Sequence, residues 1–328
     1  MIILLKKKYL QENKNKLVTF LKNKISSEKI LDITERMIEI NNSHNTITKE
    51  EIRNFSCVRK IMVVSPKFRL ISEDYPKYQI KGKCINQKSF NLIAGPCSIE
   101  DFDSMNEIAS KLKQLGINFI RGGSFKLRTS PYDFQGSGEK GIKILKEISD
   151  KYDLISVSEV TCIDDIHLME ENIDILMVGT RNMHNYRLLK ELGKLNNPVI
   201  LKRGMSATIE EWLLAAEHIK KNGNGKIILC ERGIRTFENY TRNTLDLTAV
   251  PIVKSKTKLP IIVDPSHSTG NRNLVESMSS AAIAAGANGL IIEVHFAPDR
   301  ALTDSYQTIN LSVLERIIKK KNKLLKIL

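Results

Sequence analysis

The chain has 328 residues, of which 41% are hydrophobic and 27% charged, and its formal net charge is +14 at pH 7. This composition is that of an ordinary soluble globular protein with room for a sizeable core. No stretch approaches the roughly 18 uninterrupted apolar residues of a membrane helix. The apolar run before Lys6 is too short for a secretory signal, and its charges follow it. We therefore expect a cytoplasmic protein with no membrane partner.

The positive charge and the cysteines restrict the possible partners further. The five cysteines are scattered, odd in number and without a CxxC pair, so a disulfide framework is not expected. A basic chain indicates either nucleic-acid binding or anionic substrates. The lysine runs at both ends carry no interleaved aromatic residues and no nucleic-acid motif. We interpret them as solvated surface and expect no nucleic-acid partner.

Residues 1–70 follow the order β-α-β-β-α-β, which predicts a small ferredoxin-like α+β domain. Apolar residues at helical spacing lie between Leu10 and Ile25. Thr48 with Glu51 forms a capping box that opens a second, short helix. The four predicted strands are Met1 to Leu5, Ile30 to Ile33, Met37 to Ile40 and Val58 to Val64.

Residues 71–90 are predicted to be a linker with a hairpin that turns at Gly82, and residues 91–328 are predicted to be a TIM barrel. Short β-rich runs alternate eight times with helical stretches, and no GxGxxG turn indicates a doubly wound sheet instead. The eight runs are Asn91 to Ala94, Asn118 to Arg121, Leu154 to Ser158, Asp174 to Val178, Pro198 to Lys202, Lys226 to Cys230, Pro260 to Val263 and Gly289 to Val294.

Basic residues cluster where the predicted barrel strands end, which is the face of a TIM barrel that carries the active site. So many cations on one rim indicate more than one anionic group, such as two phosphates and a carboxylate. Ion pairing with acidic residues of the barrel is the alternative, most of all for Arg203. Lys202 also fits a Schiff-base lysine, although its basic neighbours favour anion binding. The cluster comprises Arg121, Lys126, Arg128, Arg181, Lys202, Arg203 and Arg232.

Four potential metal ligands lie on the same strand-end loops: Cys97, His267, Glu293 and Asp304. A single cysteine or histidine is more often a core residue than a ligand. One sulfur, one imidazole and two carboxylates on one rim instead suit a divalent ion such as Mn, Fe, Co or Zn. His295 alternates onto the same side as Glu293 and is a candidate for the surroundings of that ion.

Several motifs resemble, in the same order, those of the 3-deoxy-D-arabino-heptulosonate 7-phosphate (DAHP) synthase family. The resemblance covers about residues 75 to 310 and is to the short-barrel branch shared with 3-deoxy-D-manno-octulosonate 8-phosphate synthase. The motifs are Gly95 to Ser98, Arg121 to Gly123, Lys126 to Pro131, Lys202 to Gly204, Cys230 to Gly233, Thr241 to Asp246 and Asp264 to His267.

The resemblance implies a divalent metal, two substrates and a regulated oligomer. The metal would be held by Cys97, His267, Glu293 and Asp304. Phosphoenolpyruvate would contact Arg121, Lys126, Arg181, Lys202 and Arg232. Erythrose 4-phosphate would contact Arg128, Thr129 and Ser130. Catalytic roles would fall to Lys126, Cys97 and His267, and proton transfer would fall to Glu159, Asp264 or a metal-bound water. The N-terminal domain resembles a regulatory domain, with tyrosine or phenylalanine as effector, and the family suggests a homotetramer.

One position departs from the family pattern. The family usually has proline between the lysine and arginine of the second strand-end loop, whereas this chain has Leu127, which leaves the backbone φ angle less constrained. The retained Arg128 to Pro131 stretch and the Asp264 to His267 motif still favour the heptulosonate branch. The alternatives are octulosonate 8-phosphate synthase, with arabinose 5-phosphate as acceptor, and a non-catalytic binder of phosphate or nucleic acid.

Overall fold

The computed structural model describes residues 1–26, 30–40, 46–62, 68–73, 78–128 and 130–328, with the backbone alone at 31–33 and 73. The chain divides into two compact units, Met1–Lys67 and Phe68–Leu328. Among the described residues, no helix combines the length and the apolar character needed to span a bilayer.

The first unit is a four-stranded antiparallel sheet with strand order β2-β3-β1-β4, which confirms the ferredoxin-like prediction. Its core includes Ile3, Leu17, Leu21 and Ile38. The capping box of Thr48 opens the second helix as predicted. Residues 63 and 64 of the predicted last strand lie outside the described residues. The elements are β1 (Ile2–Leu5), α1 (Gln11–Lys24), β2 (Ile30–Ile33), β3 (Met37–Ile40), α2 (Lys49–Arg53) and β4 (Val58–Met62).

The second unit is a closed barrel of eight parallel strands, which confirms the predicted TIM barrel. A short helix and a hairpin precede it: α3 (Arg69–Glu73), β5 (Tyr78–Ile80) and β6 (Lys83–Ile85). The barrel strands are β7 (Asn91–Gly95), β8 (Phe119–Arg121), β9 (Ile155–Val160), β10 (Ile175–Val178), β11 (Val199–Lys202), β12 (Ile227–Glu231), β13 (Ile261–Val263) and β14 (Gly289–Glu293).

The helices of the second unit follow the strands in sequence. They are α4 (Phe102–Gln114), α5 (Gly138–Lys151), α6 (Ile166–Asn172), α7 (Tyr186–Leu192), α8 (Ile209–Lys221), α9 (Ala249–Lys256), α10 (Pro265–Thr269), α11 (Arg272–Ala284) and α12 (Leu311–Ile327). The predicted capping box of Thr208 and Glu211 opens α8. Short 3-10 turns also occur at Thr180–Asn182 and Pro298–Arg300.

Apolar side chains fill both faces of the barrel wall, because successive residues of a strand point to opposite sides. Ile93, Phe119 and Ile200 pack inside the barrel, and the hairpin residue Tyr78 packs against this inner core. The Nζ of Lys81, at the hairpin turn, donates to the carbonyl oxygen of Leu154, the residue before β9, at 2.9 Å. The hairpin therefore closes the N-terminal end of the barrel, and the opposite end is left for the strand-end loops.

Gly95 allows β7 to lie close to β8 at the point where the chain leaves the barrel towards Cys97. Its φ of +148° suits glycine. An added Cβ would lie 3.0 Å from the amide nitrogen of Arg121 and closer still to its carbonyl oxygen. Both neighbours are backbone atoms and cannot rotate away.

We predict that Gly95→Ala lowers the free energy of unfolding by about 3 kcal/mol or more, since a strained φ alone costs about 1–3 kcal/mol. Gly116→Ala is the matched control, because Gly116 also has a positive φ but no atom lies within 4 Å of its added Cβ. That variant should lose only about 1–2 kcal/mol. Urea denaturation of both variants measures the difference, and equal losses would contradict the steric account.

Candidate functional site

Four side chains converge at the C-terminal end of the barrel. The potential ligand atoms of Cys97, His267, Glu293 and Asp304 all lie within 4.8 Å of one another. Cys97 Sγ is 3.1 Å from Asp304 Oδ2, and His267 Nε2 is 3.2 Å from Glu293 Oε1. Barrel closure brings them together, because β7, which precedes Cys97, pairs with β14, which ends at Glu293. The structure therefore joins all four metal ligands predicted from the sequence.

The orientation of His267 depends on Asp264, the residue that caps the N-terminus of α10. One carboxylate oxygen of Asp264 accepts from the backbone N–H of His267 at 2.9 Å, and the other lies 2.8 Å from His267 Nδ1. The same carboxylate accepts from Lys202 Nζ at 2.7 Å. Burial alone would raise the pKa of Asp264, but His267 and Lys202 hold that pKa well below its usual range. The contact at Nδ1 leaves Nε2 facing the other three ligands, as is usual for a metal-binding histidine.

Hydrogen bonds within its loop hold Asp304 in an uncommon backbone conformation. Its φ is +53°, in the left-handed region that aspartate tolerates better than most residues. The hydroxyl of Thr308 donates to the carbonyl oxygen of Asp304 at 2.9 Å, and Arg272 Nη2 donates to the carbonyl oxygen of Ser305 at 2.6 Å. Burial opposes ionisation, yet His267, the Cys97 thiol and nearby cations lower the pKa of Asp304 to about 2. The carboxylate is thus held ionised.

Glu293 and Cys97 complete a donor set that fits a divalent metal. The buried Glu293 carboxylate accepts from Arg121 Nη1 at 2.8 Å and from Gln307 Nε2 at 2.5 Å. Burial and the nearby Glu293 carboxylate raise the pKa of the Cys97 thiol to about 12. A thiol ligand must lose its proton to bind a metal, and a bound cation stabilises the thiolate. One sulfur, one nitrogen and two carboxylate groups suit a transition metal.

A pocket rich in positive charge opens beside the four ligands. Arg232 lines it and is only 4% exposed. Its guanidinium donates to the carbonyl oxygens of His267 at 3.1 Å and Gly233 at 3.5 Å, and no carboxylate of the described chain lies within ion-pair distance. Burial lowers the pKa of Arg232. A buried cation without an anionic partner is costly, so this arrangement favours a bound anion. The other cations that line the pocket are Lys126, Arg128, Arg181, Lys202 and Arg242.

Two of the predicted basic residues lie behind the pocket. Arg121 is buried, and it donates to Glu293 and to the carbonyl oxygen of Cys97 at 3.3 Å. Arg203 pairs with Glu231 at 2.9 Å and with Asp246 at 2.8 Å. The ion-pair alternative is therefore correct for Arg203, and it also holds for Arg121, which pairs with Glu293 and does not line the pocket that was predicted to hold phosphoenolpyruvate.

The sequence also predicted roles at the site for Thr129, Ser130 and His295. Thr129 lies outside the described residues. Ser130 does not line the pocket, and its hydroxyl accepts from the backbone N–H of Tyr132 at 3.2 Å. His295 is buried, but its Nδ1 accepts from the backbone N–H of Ala297 at 3.1 Å, and its nearest carboxylate is Glu100 at 4.0 Å. It makes no ion pair with Glu293.

Sequence reasoning missed Arg242 and Gln307 as members of the site. Arg242 Nη1 donates to Gln307 Oε1 at 3.0 Å and lies 3.6 Å from Asp304 Oδ1. Gln307 in turn contacts Glu293, so the pair connects the four potential metal ligands to the pocket wall. Arg242 lies in the Thr241 to Asp246 motif but follows no strand directly, so the strand-end rule did not select it. Nothing in the sequence distinguishes Gln307.

A TIM barrel with these ligands beside a cationic pocket defines an enzyme suited to a divalent metal and phosphorylated or carboxylated substrates. The chain belongs to the DAHP synthetase I family, whose family model matches residues 75–328.

Individual relatives are similar over most of the chain. A phospho-2-dehydro-3-deoxyheptonate aldolase of Thermotoga maritima is 46% identical over 282 residues, which are 85% of this chain and 83% of the relative. The crystal structure of a DAHP synthase from that organism has a TM-score of 0.79 and 40% identity, covering 99% of this chain and 97% of that one. A 2-dehydro-3-deoxyphosphooctonate aldolase of Syntrophobacter fumaroxidans is 29% identical, covering 74% of this chain and 90% of the relative.

We predict that Cys97→Ala weakens the binding of Mn²⁺ or Co²⁺ by about 100-fold or more, since even residues that only orient a ligand contribute about 10- to 100-fold. Equilibrium dialysis measures the affinity, and thermal melting checks that the variant folds. Cys162→Ala is the control, because its sulfur contacts Asp165 and is not among the four ligands. Unchanged metal affinity in Cys97→Ala would contradict the assigned site.

Proposed function

We propose that this chain condenses phosphoenolpyruvate with erythrose 4-phosphate to give DAHP and phosphate, the first step of the shikimate pathway. The proposal rests on membership of the DAHP synthetase I family and on the 46% identical relative. The observation that carries it is Arg232, a buried pocket-facing guanidinium without an acidic partner in the described chain, beside four convergent metal ligands. Both substrates bring anionic groups for such a pocket.

In this proposal the metal is Mn, Fe, Co or Zn, held by Cys97, His267, Glu293 and Asp304. When bound, it supplies Lewis-acid polarisation of the aldehyde oxygen. Asp264 keeps His267 oriented, and Gln307 and Arg121 keep Glu293 oriented. Lys126 contributes positive charge that lowers the pKa of Asp304 and also lines the pocket. It is therefore suited to stabilise negative charge that develops next to the metal ligands.

The cations of the pocket would divide between the two substrates. Lys126, Arg181, Lys202 and Arg232 would hold the phosphate and carboxylate of phosphoenolpyruvate, and Arg121 would act from behind through Glu293. Arg128, with Thr129 and Ser130, would hold the phosphate of the aldose. Lys202 Nζ lies 2.7 Å from the Asp264 carboxylate, an arrangement that suits anion binding better than Schiff-base formation.

The proposed reaction balances without an oxidant, a reductant or a nucleotide. The methylene carbon of phosphoenolpyruvate forms a bond to the aldehyde carbon, and the aldehyde oxygen takes up a proton. Water adds to the former enol carbon and loses a proton. The bond from that carbon to the phosphate oxygen then breaks and the remaining hydroxyl proton passes to the departing phosphate, which leaves a ketone. The fixed cations hold both substrates in register and stabilise the developing charge.

Glu159 is the side chain best suited to accept a proton in the pocket or to orient the water. Asp264 accepts from Lys202 Nζ and from the backbone N–H of His267, and it lies 2.8 Å from His267 Nδ1. Glu159 lines the pocket, and its side chain makes no hydrogen bond or ion pair with any residue that the structure describes. A carboxylate that faces a cationic pocket with its oxygens free is available for general base catalysis.

We predict loss of phosphoenolpyruvate absorbance when erythrose 4-phosphate and Mn²⁺ are present, and loss of this activity after a chelator is added. The control is arabinose 5-phosphate as acceptor, which the octulosonate branch would use. Faster turnover with arabinose 5-phosphate would contradict the proposed acceptor and favour the octulosonate alternative. No turnover with either aldose would contradict the condensation and favour a non-catalytic binder.

We also propose that residues 1–67 regulate the barrel as a sensor of tyrosine or phenylalanine, the end products of the pathway. This unit has its own buried core. A truncated form of the Thermotoga maritima synthase matches 80% of this chain with a TM-score of 0.75. A homotetramer is proposed on the family resemblance alone, and light scattering of the purified chain tests it.

We predict that deletion of residues 1–67 leaves most of the condensation activity and removes inhibition by tyrosine or phenylalanine. The reason is that the metal ligands and the described pocket residues all lie beyond residue 67. Inhibition curves for the full chain and the truncated chain, at equal metal loading, measure the effect. Equal inhibition of both forms would contradict a sensing role for this unit.

A further inference from the structure

Gly179 lies immediately after β10, at the rim of the pocket, and its backbone does not require glycine. Its φ is −67° and its ψ is 158°, an extended conformation open to ordinary residues. The described contacts give a different reason for the missing side chain. The three atoms nearest to a Cβ on Gly179 all belong to the side chain of Glu159: Oε1 is the closest, followed by Cδ at 2.8 Å and Cγ at 3.6 Å.

Glu159 and Gly179 are neighbours because their strands pair. Glu159 lies on β9 opposite Met177 of β10, and Gly179 follows two residues later. Both residues line the pocket together with Lys126, Arg181 and Lys202. The carboxylate of Glu159 thus lies against the bare Cα of Gly179 and faces the pocket, and no described side chain fixes its orientation through a hydrogen bond.

We infer that Gly179 is a positioning residue, which lacks a side chain so that the Glu159 carboxylate can lie against the strand and face the reacting substrates. This inference rests on the proposed function and deepens it. The backbone of residue 179 sets where the carboxylate lies, and in the proposed reaction the carboxylate accepts a proton from the water that adds to the enol carbon. Misplacement of a catalytic group by about 1 Å costs about 100-fold in rate.

The first test is Gly179→Ala in the full-length, metal-loaded enzyme. The added methyl group pushes against the end of a flexible side chain, so the variant should fold with a melting temperature close to that of the wild type. We expect kcat to fall about 100-fold, while KM for phosphoenolpyruvate changes by less than about threefold, because the anion-binding cations stay in place. An unchanged kcat would overturn the inference.

Gly225→Ala is the matched control. The three atoms nearest to an added Cβ at Gly225 likewise all belong to the end of one long side chain, that of Lys220, with Cε at 3.3 Å. Gly225 lies just before β12, outside the set of residues that line the pocket. This variant should keep the wild-type kcat. A loss as large as that of Gly179→Ala would show a general cost of alanine at such positions and would overturn the positioning role.

A double-mutant cycle separates positioning from a merely structural effect. Glu159→Asp shortens the side chain by one methylene group and withdraws it from residue 179. The double variant Glu159→Asp with Gly179→Ala should therefore be about as active as Glu159→Asp alone, which is strong non-additivity. If the loss of activity in the double variant equals the product of the losses in the two single variants, the inference is overturned. Wild-type turnover tests the proposed function, whereas the ratio of each variant to the wild type tests the role of Gly179.

Discussion

Arg121 donates to Glu293 at 2.8 Å inside the barrel, and both side chains are almost completely buried. The pair spans from β8 to β14 across β7, the strand that leads to Cys97. A buried carboxylate is stable only when charge and hydrogen bonds compensate it, and removal of one partner of a buried pair costs about 3–5 kcal/mol. Here Arg121 and Gln307 compensate Glu293, so one of its oxygens can face His267 at 3.2 Å. The position of Glu293 among the four potential metal ligands depends on this arrangement.

The other cations at this end of the barrel form two groups: those that acidic residues neutralise, and those that are available to substrates. Arg203 is neutralised by Glu231 and Asp246 and joins the strand-end loops, whereas the equally buried Arg232 has no acidic partner among the described residues. Asp264 contacts both His267 and Lys202, so one carboxylate orients a metal ligand and a pocket cation. The four potential metal ligands and the anion pocket are therefore built from one connected set of side chains, which suits a reaction between two substrates bound side by side.

The barrel, and the meeting of potential metal ligands such as Cys97, His267 and Glu293 at one of its ends, could be predicted because both follow from local patterns. Buried parallel strands appear as short apolar runs, and the residue after each run must lie on one face. The roles of Gln307 and Arg242 were not predictable, since they depend on a loop in which Asp304 has a positive φ. In the sequence, Arg203 and Arg232 both follow the end of a predicted strand. Only the folded structure shows that acidic residues neutralise Arg203 and not Arg232. The proposed role of Gly179 could not be predicted from the sequence either, because it depends on contact with Glu159 of the neighbouring strand and not on a turn.

The most direct test of the account is a titration of metal-free protein with Co²⁺, followed by near-ultraviolet absorbance and by phosphoenolpyruvate consumption in the same samples. A thiolate bound to Co²⁺ adds a charge-transfer absorption, and Cys97 is the only sulfur among the four ligands. The account predicts that absorbance and activity rise together and saturate at one equivalent of metal per chain. Full activity without that absorption, or before any metal is added, would contradict a catalytic metal centre at Cys97.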